Sequence, residues 1–89
     1  MTALPGVPVF NCIVNVSPPG QQAPCRAQVA NLAGISASGP SEREALAKIV
    51  PQFKAAVARL HAANEPIPWI DPPMPPAAGE LQRFIAVHL

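Results

Sequence analysis

Residues 41–60 read SEREALAKIVPQFKAAVARL, and the spacing of their apolar side chains predicts the main helix of the protein. Ser41 is a favourable N-cap, and Glu44 three residues later is typical of a capping box. We expect the helix to reach residues 63–64, just before Pro66. Steps of three and four residues place one apolar stripe along this helix: Ala45, Leu46, Ile49, Val50, Phe53, Ala56, Val57 and Leu60.

Pro51 lies inside this stripe, where a proline is unusual. It has no N–H to donate to the carbonyl of Ala47, and a proline in a helix interior costs about 3 kcal/mol. The apolar spacing nevertheless continues unchanged on both sides of it. The sequence therefore favours one bent helix over two separate helices.

Three strands are predicted before the helix and one after it. Residues 9–16 alternate with a period of two, which puts Phe10, Cys12, Val14 and Val16 on one face. Further strands are expected over residues 25–31, 35–38 and 80–89, whereas residues 1–8 and 17–22 are expected to be irregular. Residues 71–79 are predicted to form an extended, proline-rich spacer.

This order of elements predicts an α+β fold in a single domain covering residues 1–89. Its antiparallel sheet would have the element order β-β-β-α-β, with one helix packed on one face. A single helix cannot cover both faces, so the apolar residues of the second face need another partner. They are Val9 and Ile13 in the first strand and Phe84 in the last.

Trp69 and Ile70 follow the helix in the segment PIPWI, which its prolines hold extended. One interpretation has them cover the second face against Val9 and Ile13 within the same chain. The other has Trp69 fill a pocket on a partner, since tryptophan is enriched at interface hot spots. The candidate protein interface therefore consists of Val9, Ile13, Trp69, Ile70 and Phe84.

A chain of 89 residues has a small core, so we expect a dimer or a larger assembly. The competing possibility is a monomer in which Trp69, Ile70 and Met74 fold back over the second face.

The sequence predicts no catalytic residue, no cofactor and no metal site. Neither His61 nor His88 belongs to a zinc motif, and the serines lack a nucleophile context. Cys12 and Cys25 are expected to be reduced, half-buried thiols: placing them opposite each other would need a Pro18-Pro19 hairpin turn, which proline does not permit. An enzyme is therefore disfavoured.

The overall charge is +1 and the six basic residues are scattered, which disfavours direct binding of nucleic acid. No apolar run approaches the ~18 residues of a membrane-spanning helix, and no signal peptide is recognisable. These features predict a cytoplasmic protein without a membrane partner.

Residues 30–46, ANLAGISASGPSEREAL, resemble the hallmark of the HicB-type antitoxin domain. The hallmark sequence of that family is Pro-Asp-Leu-Pro-Gly-Cys, followed after a few residues by Gly and then by Thr-x-x-Glu-Ala. Here Ala30-Asn31, Ala33 and Ile35 depart from the pattern. The matching positions are Leu32, Gly34, Gly39, Ser41 in place of threonine, Glu44 and Ala45.

The resemblance covers about residues 9–70 and does not include the DNA-binding segment that such antitoxins usually carry. It implies a three-stranded meander, one helix and a closing strand, often dimerising. It also implies a partner, a small ribonuclease toxin whose catalytic histidine the antitoxin masks. The leading hypothesis is thus a non-catalytic protein-binding module, and the alternative is an accessory or structural subunit that forms a homo-oligomer.

Overall fold

A computed structural model describes residues 8–18, 20 and 23–89. The strands are β1 (Val9–Ser17), β2 (Cys25–Val29), β3 (Ser36–Gly39) and β4 (Leu81–His88), and the helix is α1 (Glu42–Ala62). The α+β fold with the element order β-β-β-α-β is confirmed. Most of the irregular lead-in predicted for residues 1–8, and part of the predicted loop 17–22, lie outside the described residues.

The four strands form one antiparallel sheet in the order β3-β2-β1-β4. β1 lies in the middle: Val14 is opposite Val29 of β2, and Ile13 is opposite Phe84 of β4. The outer strands β3 and β4 each have only one neighbour within the described chain. The short strand β3 pairs with β2, with Ala37 opposite Ala27.

The helix begins at the predicted N-cap, Ser41. Ser41 has an extended backbone, and its hydroxyl accepts a hydrogen bond of 3.2 Å from the Glu44 N–H. Glu42 and Glu44 lie in the first turn, where the helix dipole favours negative charge. Pro51 is exposed within the single helix α1, so the preference for one helix over two is confirmed.

The helix packs on one face of the sheet, mainly over β2 and β3. Ile49, Phe53 and Val57 are fully buried in one core cluster, which also contains Val29 of β2 and Val14 of β1. Leu46, Val50 and Ala56 lie at the margin of this core and are half-buried. We call the opposite side of the sheet the far face.

The second strand ends earlier than predicted, at Val29 instead of residue 31. The chain nevertheless continues beside β1, because the Ala30 N–H donates to the Ile13 carbonyl at 2.6 Å. Asn31 then uses its side chain where a strand would use its backbone. Its Oδ1 accepts from the Ile13 N–H at 3.1 Å, and its Nδ2 donates to the Asn11 carbonyl at 2.8 Å.

Candidate protein interface

The far face carries the apolar residues for which the sequence predicts a partner. Val9 is 50% exposed, Phe84 is 69% exposed and Ile13 is half-buried. Ile13 and Phe84 are directly opposite each other, while Val9 lies farther along β1, opposite His88. These three residues form what we call the apolar patch.

Trp69 does not lie over Val9. Its ring centroid is 5.9 Å from that of Phe10 and 6.1 Å from that of Phe53, so it packs at the open end of the helix–sheet core. It remains 39% exposed. The interpretation that Trp69 covers the far face is therefore correct only in part. One side of the Trp69 ring packs on Phe10 and Phe53, and Trp69 also lines a depression together with Ile13 of the far face.

This depression of about 280 Å³ lies where the chain after the helix crosses to the far face. Ile70 is half-buried in its wall, and its N–H donates to the Asn31 carbonyl at 3.0 Å. Three of the five predicted interface residues, Ile13, Trp69 and Ile70, thus meet here. Val9 and Phe84 do not take part in it.

The proline-rich segment, residues 71–79, crosses the far face and is held there by its backbone. The Met74 N–H donates to the Ala30 carbonyl at 2.9 Å. The Met74 carbonyl accepts from Asn15 Nδ2 at 2.9 Å and from Gln82 Nε2 at 3.3 Å. The segment therefore covers the middle of the far face and leaves Val9 and Phe84 exposed.

A polar cleft of about 530 Å³ lies on the other side of this segment, over β2 and β3. Arg26 and Glu80 are both among its lining residues, so residues of opposite charge border it. Sequence reasoning missed this cleft, although the alternation of polar residues in β2 and β3 was a signal for it. Its other polar lining residues are Asn15, Gln28, Ser36 and Ser38.

Strand β4 also exposes apolar surface on the helix side, because the helix lies mainly over β2 and β3. Leu81 is 47% exposed there. Nearby, Arg83 Nε donates to Glu42 Oε2 at 2.8 Å and ties β4 to the start of the helix. The hydrogen bond from Arg83 lowers the pKa of the Glu42 carboxyl.

Cys12 and Cys25 are free thiols and are fully buried, not half-buried as the sequence suggested. The register sets them about six residues apart along the sheet, or roughly 20 Å, far beyond disulfide reach. Burial raises the pKa of the Cys12 thiol to about 11. Burial, and then the negative charge of Glu42, raise the pKa of Cys25.

Among the described residues, no group of three or more histidine, cysteine or acidic side chains is placed to hold a metal ion. In the same part of the chain, no helix has both the length and the apolar character needed to cross a membrane.

Comparison of the chain with protein-family models, with curated proteins and with solved structures finds no match.

Proposed function

We propose that this protein is a non-catalytic binding module similar to HicB-type antitoxins, which neutralises a small ribonuclease toxin in the cytoplasm. The observation that carries the proposal is the apolar patch. Phe84 is 69% exposed on a strand at the sheet border, and Val9 is half exposed on the same face. The half-buried Ile13 lies directly opposite Phe84 and adds apolar surface beside it, and an exposed apolar patch is typical of an interaction site.

Two further features support this proposal. Residues 39–46, which carry part of the resemblance, form the end of β3 and the capped start of the helix. A Cβ added to Gly39, the last residue of β3, would lie 3.1 Å from the Ala45 nitrogen, so a side chain there would crowd the helix. Two buried free thiols also suit a reducing compartment such as the cytoplasm. Since a fold serves many functions, the proposal depends on the surface and not on the architecture alone.

The test begins with the neighbouring reading frame, which we expect to encode a small, basic, histidine-containing protein. Expressed alone, that protein should arrest growth, and co-expression with this chain should restore growth and give a co-purifying complex. Phe84→Asp should abolish both effects. The matched control is Ala55→Asp, which places the same charge on the exposed side of the helix and should leave both effects intact. A neighbour that is not toxic, or that does not bind, would contradict the antitoxin proposal.

A second candidate function is favoured by the open border of the sheet. Strand β4 has eight residues and pairs on one side only within the described chain. Such a strand can pair with another copy of the chain, so the protein could be an accessory subunit that forms a dimer or a larger oligomer. The mass in solution separates this candidate from a monomeric binding module.

A further inference from the structure

We infer that the outer border of β4 pairs with the same strand of a second copy, joining two four-stranded sheets into one sheet of eight strands. This inference rests on the self-association proposed above and specifies the surface, the partner and the register. It shares only Phe84 with the apolar patch and does not require that the patch binds a toxin.

The backbone groups that face outward from β4 follow from the hydrogen bonds of β1. The Ile13 N–H and carbonyl both bond on the β2 side of β1, so the even-numbered residues of β1 bond toward β4. In β4 the residues opposite those even numbers, 81, 83, 85 and 87, therefore bond inward. The outward row consists of the N–H and C=O groups of Gln82, Phe84, Ala86 and His88.

The two borders of the sheet differ in how they are protected. By the same alternation, Ser38 in β3 points its carbonyl outward, and the Lys48 ammonium donates to that carbonyl at 3.0 Å. β3 is also only four residues long. A lysine and a short strand are two ways in which proteins block pairing at a sheet border.

β4 has neither device. It is eight residues long and contains no proline and no lysine. Its one constant charge, Arg83, is paired with Glu42 of the same chain. Among residues 8–18, 20 and 23–89, no hydrogen bond involves the outward backbone groups of β4. This border is therefore open to pairing and carries no unbalanced charge.

A second copy fits this border because an antiparallel pair of identical strands is complementary about a two-fold axis. Placing the axis at Ile85 aligns the whole strand and uses all four outward residues. It sets the bulky Phe84 opposite Ala86 of the second copy, and Gln82 opposite His88. The half-exposed Leu81 then meets Leu89 of the second copy on the helix side.

Registers shifted toward the start of the strand are less favourable. An axis at Arg83 would place two guanidinium groups directly opposite each other, which is destabilising. An axis at Phe84 would leave one outward residue of each strand without a partner in the other. Because the helix lies mainly over β2 and β3, the helices of the two copies stay apart in the favoured register.

The decisive variant is Ala86→Pro. The Ala86 side chain is exposed and its N–H points outward, so proline removes a hydrogen bond of the dimer without removing one of the β1–β4 ladder. Light scattering at micromolar concentration should give twice the 9.3 kDa chain mass for the wild type and for the control Ala86→Ser. It should give the single-chain mass for Ala86→Pro, with an unchanged circular dichroism spectrum.

A cross-linking measurement tests the register independently of the Ala86→Pro variant. Chains carrying Phe84→Cys mixed with chains carrying Ala86→Cys should form mixed disulfides at least about tenfold faster than either variant alone, because opposite residues lie within disulfide reach. A wild-type monomer, or a dimer that persists in Ala86→Pro without these cross-links, would overturn the inference. Growth rescue in the toxin assay by a monomeric Ala86→Pro variant would leave the antitoxin proposal intact.

Discussion

At the scale of single residues, the buried side chain of Asn31 completes the hydrogen bonding of the β1 backbone. It is 8% exposed, and its amide satisfies one donor and one acceptor of β1 at the point where β2 has already ended. A side-chain amide carries the same pair of groups as a peptide unit, so it extends the sheet by one rung.

Asn31→Ala should therefore lower the free energy of unfolding by about 2 kcal/mol, because it leaves the Ile13 N–H and the Asn11 carbonyl without partners. Urea denaturation gives the value directly. Asn11→Ala is the matched control, since the Asn11 side chain is exposed, and it should change stability by less than about 0.5 kcal/mol. Equal effects of the two variants would mean that the Asn31 amide is not a structural rung.

The buried thiols predict a loss of stability in alkali. Folding raises the pKa of Cys12 from 9.0 to about 11, so the unfolded chain ionises first as the pH rises. The stability present below pH 9 should then fall between pH 9 and 11, for Cys12 by roughly 2–3 kcal/mol.

Denaturation midpoints measured between pH 7 and 11 check this expectation. The control is the double variant Cys12→Ala, Cys25→Ala, which lacks both thiols and should show a flatter profile. If the wild type and the double variant have parallel profiles, the thiols do not cause the alkaline loss.

At the scale of elements, the helix shows how far its sequence pattern is informative. The period of three and four residues correctly predicts the stripe, and the Ser41 cap correctly predicts the start. The pattern does not separate Phe53, which is fully buried, from Leu46, which is half-buried. That difference depends on where the helix axis crosses the sheet, which no local period encodes.

Phe53→Ala should accordingly cost about 3–5 kcal/mol, whereas Leu46→Ala should cost only about 1–2 kcal/mol because less of its surface leaves water. Thermal and urea unfolding of both variants give the comparison. Similar losses would indicate that the helix is rotated about its axis relative to this structure.

The strands show a similar limit. Alternation correctly assigned the faces of β1 and β4, and with them the exposed positions of Val9 and Phe84. It did not reveal that Asn15 binds the Met74 carbonyl, because 59 residues separate the two. Nor did it place Trp69 beside Phe10 and Phe53, since an extended proline segment carries no period that fixes its path. The far-face positions of Val9, Ile13 and Phe84 were therefore predictable, whereas the position of Trp69 and the path of the segment that crosses this face were not.

At the scale of the whole molecule, Ile70 and the proline-rich segment that follows it join distant parts of the chain. Ile70 and Met74 donate their N–H groups to Asn31 and Ala30, and the Met74 carbonyl contacts β1 through Asn15 and β4 through Gln82. Although this segment has no regular secondary structure, its hydrogen bonds join it to the strands of the sheet and to the residues that directly follow β2. It should consequently open only when the sheet opens.

Hydrogen exchange tests this coupling. The amides of Ile70 and Met74 should exchange nearly as slowly as that of Val14, whereas the Ala77 amide, which bonds an exposed Glu80 carboxylate at 2.8 Å, should exchange much faster. Asn15→Ala removes the side chain that holds the Met74 carbonyl, so it should accelerate exchange at Met74 more than at Val14. If Met74 in the wild type exchanges as fast as Ala77, the segment opens independently of the sheet. The far face would then be intermittently bare, and the surface available to a partner would extend from Phe84 across β1 to the polar cleft.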